Sequence, residues 1–151
     1  MTRLLDTYAP HFDITGTQVV LVDAEPPIVR QALDHHRPTI PPLGLGECLA
    51  RAPTLLEARG HERVYGLTWR LASGHVKVVW DVQVDAGGEA GSVLATTTRF
   101  VATDEQARKH LLDAWGLIGT VSAALTKRTL TRVKRLAEAH EPGLEALALA
   151  A

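Results

Sequence analysis

Residues 91–139 read GSVLATTTRFVATDEQARKHLLDAWGLIGTVSAALTKRTLTRVKRLAEA, and the hydrophobic period changes once along that stretch. From Ser92 to Val101 the spacing is two, with Leu94, Thr96, Thr98 and Phe100 on one parity, the pattern of a strand with one covered face. Thr103-Asp104-Glu105-Gln106 then has the form of a capping box, predicting that Thr103 accepts from the third helical amide. Beyond it Leu111, Trp115, Ile118, Ser122, Leu125, Thr129, Val133 and Leu136 step by three or four, which predicts one long helix to about Glu138. At ~1.5 Å per residue such a helix is ~50 Å long. Gly116 and Gly119 inside it predict a bend or a close contact, and Glu141-Pro142-Gly143 predicts its end.

Upstream, HVKVVWDVQVD (75–85) alternates as Val76, Val78, Trp80, Val82 and Val84 against Lys77, Asp81, Gln83 and Asp85, with Val79 out of step. Tyr65, Leu67, Trp69 and Leu71 form an earlier strand, Leu55 and Leu56 a shorter one, and turns at Arg59-Gly60-His61, Ser73-Gly74 and 86–91 join them into an antiparallel meander. Before these, TQVVLVD (17–23) is a strand, and Pro26 to His36 reads as a short helix with proline in its first turn. RPTIPPLGLG (37–46) cannot be regular, and a short helical piece is expected around Glu47 to Ala52.

With 151 residues and 46% apolar composition, one domain spanning 1–151 can bury a core without disulfides or a structural metal. Sixteen basic and 17 acidic side chains leave a net charge of −1, which removes the basic field of a non-specific nucleic-acid binder. Cys48 is the single cysteine; a reducing, cytoplasmic setting suits it, and a small buried filler is the favoured role over a nucleophile. MTRLLDTYAPHF lacks the apolar run of a signal peptide, and no stretch reaches the ~18 apolar residues of a membrane span.

Strand, short helices, meander and long final helix is the α+β order of the helix-grip fold: an antiparallel sheet curved around one carboxy-terminal helix. The wording agrees. Residues 91–139 resemble the START-like polyketide cyclase/dehydrase and lipid-transport superfamily, also called SRPBCC. A strand ending in Thr96, Thr98 and Arg99 is followed by Thr103, Asp104, Ala107 and Arg108, then Trp115, and a basic close at Arg135, Ala137 and Glu138. HERVYGLTWRL (61–71) is similar to that family's glycine-centred strand, and HFDITGTQVVLVDAEPPIVRQAL (11–33) to its opening strand and helix. Thr97 stands where an acidic residue is common, and the proline often found midway along the helix is absent near Gly119-Thr120. The resemblance implies a cavity between sheet and helix.

Turned inward, one parity makes an apolar wall from Tyr65, Leu67, Trp69, Val78, Trp80, Val82, Thr96, Thr98, Phe100, Leu111, Trp115, Ile118 and Ser122, the expected ligand-binding residues. Its polar groups are hydroxyls and indoles, with no inward carboxylate, histidine or lysine, so no catalytic residue is assigned and no cofactor is implied. A wall of this kind suits a hydrophobic small molecule such as a lipid, polyketide or isoprenoid, bound for transport or sequestration. A cyclase/dehydrase-type enzyme is the alternative, and it requires Arg70, Asp81 or Arg99 inside the cavity. A third reading is an interaction protein whose aromatic side chains fill the space.

The remaining candidates are weaker. His35 and His36 lack further ligands at metal spacing and read as helix-end residues, and no metal site is expected. His110 and Asp113 read as a solvated pair on the long helix. Gly44-Leu45-Gly46 and Gly87-Gly88 do not sit between strand and helix as a phosphate loop requires. Lys127, Arg128, Arg132, Lys134 and Arg135 read as a solvated helix face, with transient contact to an anionic membrane as the second reading and nucleic acid without support. Ile40, Leu43 and Leu45 suggest that 37–46 covers a cavity mouth, hinged at Gly44 and Gly46.

Overall fold

The computed structural model describes residues 3–36, 53–71, 74–89 and 91–148, with the backbone alone at 71 and from 140 onward. The expected covering loop 37–46, the helical piece at 47–52 and Cys48 lie outside the described residues.

Five strands form one antiparallel sheet in the order β1-β5-β4-β3-β2: β1 Ile14–Val22, β2 Thr54–Arg59, β3 Glu62–Leu71, β4 Gly74–Ala86 and β5 Ser92–Ala102. The four later strands are the meander, and β1 closes on β5 with Gly16 opposite Thr98 and Val20 opposite Leu94. Cross-strand neighbours share a face, so Tyr65–Trp80–Thr98 and Leu67–Val78–Phe100 run as rows across the inner surface. Gly74, at φ 152°, lies where a Cβ would come within 2.6 Å of Asp104 Oδ2, so glycine here admits the chain end that starts the next helix.

Helix α2 (Pro26–His35) and helix α4 (Trp115–Ala148) cover the inner face. Val29 and Ala32 of α2 meet Leu130, Val133 and Ala137 of α4 over Val84 and Leu94. α4 is fastened to β1: Gln18 donates to the Ala123 carbonyl at 2.9 Å, Lys134 to the Leu21 carbonyl at 2.7 Å, and the Asp23 amide to Glu138 at 3.0 Å. No described helix is long and apolar enough to cross a membrane.

The long helix differs from expectation in three places. It is divided: α3 (Glu105–Asp113) ends at Ala114, whose φ of −87° and ψ of −2° turn the chain before α4 begins. α3 lies on the ends of β4 and β5 whereas α4 packs on β1 and α2, and these two directions cannot be met by one straight helix. The cap is Asp104, which accepts from the Ala107 amide at 2.8 Å, because Thr103 donates its hydroxyl to the His75 carbonyl. At the other end helical backbone continues through Pro142 and Gly143 to Ala148, carried by the alanine and leucine residues that follow.

A short helix, α1 (Leu4–Tyr8), covers the outer face, with Leu4, Leu5 and Ala9 on Val64 and Val79. This explains why Val79 breaks the alternation of β4. The Glu62 carboxylate accepts from the Leu4 and Leu5 amides at the start of α1, while Lys77 and Arg99 donate to the Tyr8 and Ala9 carbonyls at its end.

Candidate functional site

Two apolar clusters occupy opposite ends of the space between sheet and helices. One holds Val84, Leu94, Leu130 and Val133; the other holds Trp69, Val76, Leu111 and Ile118. The wall between sheet and α4 includes short side chains, Thr96 and Thr98 on β5 and Ser122, Thr126 and Thr129 on α4. The space they share with larger apolar side chains is a cavity of about 150 Å³.

Of the residues expected on the wall, Tyr65, Leu67, Trp69, Val78, Trp80, Val82, Thr96, Thr98, Phe100, Ile118 and Ser122 line this cavity. Leu111 and Trp115 do not. Leu111 is fully buried among Trp69, Val76 and Phe100, because α3 lies at the end of the sheet. Trp115 stands behind the wall, edge-on to the Phe100 ring at 5.1 Å, with its indole laid over Gly119. Tyr65 and Trp80 stack with centroids 5.8 Å apart, a cross-strand aromatic pair on the inner face.

The wall also contains Leu33 and His36 from α2, and Leu125, Thr126, Thr129 and Leu130 from α4. His36 corrects the expectation that no histidine faces inward. It caps α2 with its amide on the Ala32 carbonyl, and half-buried there its imidazole is held below the usual histidine range, first by burial and then by the nearby Arg132 charge. The inner stripe of α4 drifts with the 3.6-residue period, so Leu130 and Ala137 are buried where a fixed stripe would end on Leu136.

Arg70, Asp81 and Arg99 belong to the outer face. Arg70 is exposed. Asp81 is fully buried beneath the start of α1, accepting from Arg3 at 2.6 Å, the Thr97 amide at 2.8 Å and Gln83 at 3.0 Å. Burial nevertheless pushes its carboxyl up, against the pull of Thr97 and Arg3. Arg99 is engaged by Asp6 at 2.7 Å and lies over the Phe12 ring. Among the described residues no three His, Cys, Asp or Glu side chains group as metal ligands. Among the described residues the titratable groups lining the cavity are His36 and Tyr65, and no carboxylate is with them.

The sequence matches no family model and no curated protein. Among solved structures it is similar to a conserved protein from Geobacillus kaustophilus, at 10% identity over 84% of this chain and 97% of that one, with a TM-score of 0.54. Lower likenesses include the Zhui aromatase/cyclase from a Streptomyces species, at 14% identity over 84% and 94% with a TM-score of 0.44. A Thalictrum flavum norcoclaurine synthase point mutant, in complex with a transition-state analogue, matches at 12% identity over 85% and 96%, TM-score 0.45. At 10% identity the likeness to the Geobacillus protein concerns the fold alone, a curved antiparallel sheet gripping a long carboxy-terminal helix.

Proposed function

We propose that the chain binds a small, largely apolar organic molecule between its sheet and α4. The observation that carries this reading is the cavity itself, walled by Leu67, Trp80, Phe100 and Ile118 with hydroxyls spaced among them. An apolar cavity of this size is enough for a single-ring hydrocarbon. Burying six to eight carbons at about 0.8 kcal/mol each corresponds to a dissociation constant on the order of 0.1 mM. Lipids, polyketides and isoprenoids contain segments of this kind, and transport or sequestration in the cytoplasm is the role proposed.

Binding is preferred to catalysis because Arg70, Asp81 and Arg99 are on the far side of the sheet, and the described wall residues include no carboxylate to pair with His36. Native mass spectrometry before and after extraction with organic solvent tests the reading, together with thermal shifts across a panel of lipids, isoprenoids and aromatic ketones. The expected result is a removable adduct, or a melting temperature that rises with ligand concentration. No adduct and no shift across the panel contradicts it.

A further inference from the structure

His36 ends α2 where that helix packs against α4, the helix that carries Arg132. His36 is half-buried and reaches the cavity, whereas Arg132 is exposed. Arg132 lies between Leu130 and Val133, which pack under Val29 and Ala32 of α2, and its charge is felt at the His36 ring. Neither side chain has a hydrogen-bond or ion-pair partner among the described residues. Nearby, Arg63 of β3 pairs with Asp34 of α2, and the Tyr65 ring is on the wall. Arg132 belongs to the basic run on α4, and its charge acts on His36, which lines the cavity.

The apolar cavity has an imidazole on its wall, a guanidinium lies near enough for its charge to act on that ring, and among the described residues nothing of opposite charge pairs with either. We propose that the occupant is an amphipathic carboxylate, its tail among Leu67, Trp80 and Ile118 and its head between His36 and Arg132. This rests on the cavity-binding reading and narrows the ligand class within it. A carboxylate beside His36 favours the imidazolium that burial and Arg132 disfavour in the empty protein. Binding therefore takes up a proton, and affinity rises as pH falls through the histidine's value in the complex and levels off below its lowered value in the empty protein, by up to roughly tenfold for each unit by which the head group raises the histidine.

Isothermal titration of the wild-type protein with octanoate and with octanol, which share a chain and differ in the head, tests this. The variants are Arg132→Gln and His36→Gln, with circular dichroism to verify folding. Arg132→Gln is expected to weaken octanoate about two- to fivefold, an effect reduced by added salt, and to leave octanol within about twofold. His36→Gln is expected to flatten the pH dependence of octanoate binding. If both probes bind but respond alike to Arg132→Gln, with octanoate affinity independent of pH, the head-group assignment is overturned and the cavity reading stands. If neither probe binds, the cavity reading fails and the assignment falls with it.

Discussion

The Trp115 indole lies across Gly119 so closely that a Cβ at position 119 would come within 2.9 Å of Trp115 Cε2. The same ring meets Phe100 edge-on, and Phe100 lines the cavity. Gly119→Ala therefore gains about 1 kcal/mol of helix propensity and loses more by displacing Trp115, for a net destabilisation of about 1 kcal/mol. Gly116→Ala has open space around its new Cβ and is expected to stabilise by about 0.5–1 kcal/mol. Urea midpoints of the two variants check both signs, and equal stabilisation contradicts the packing role of Gly119.

Asp81 gives a second expectation. Its carboxyl is raised in the folded protein, chiefly by burial. Below that raised value and above the ordinary aspartate range, the folded state holds the proton and the unfolded chain does not, so stability increases as pH falls through the folded value. The increase levels off below the ordinary range. Asp81→Asn does not titrate, so the wild-type urea midpoint minus the variant midpoint should rise on acidification across that window. A difference that shrinks instead means Arg3 and Thr97 outweigh burial.

Glu62 is expected to hold α1 in place. Glu62→Ala leaves the Leu4 and Leu5 amides without their carboxylate and should cost about 1–3 kcal/mol. Hydrogen exchange should show faster exchange in α1 than in β4, where the ladder to β5 is intact. Uniform loss of protection across both would show that α1 does not open separately.

The strands of the meander were legible because alternation in β4 and β5 is nearly unbroken, and most of the wall follows from that parity. α1 was not legible as a helix, since Leu4 and Leu5 in five residues make no periodic window. Its trace was Val79, an apolar residue on the face otherwise carrying Lys77 and Gln83. The turn at Ala114 has no local signal, because it follows from where α3 and α4 each pack. His36 escaped for a similar reason: its inward position depends on how α2 docks on α4, a tertiary relation that spacing within one helix does not encode.

Cavity filling tests the central claim most directly. Ser122→Phe places a ring into the space bounded by Thr98 and Trp80. Titration calorimetry of wild type and variant with octanol should give one-to-one binding with a negative heat-capacity change for the wild type, and loss of at least about tenfold in affinity for the variant, with folding retained. Equal binding by a folded Ser122→Phe variant would contradict the account, because the ligand would then reside somewhere other than between the sheet and α4.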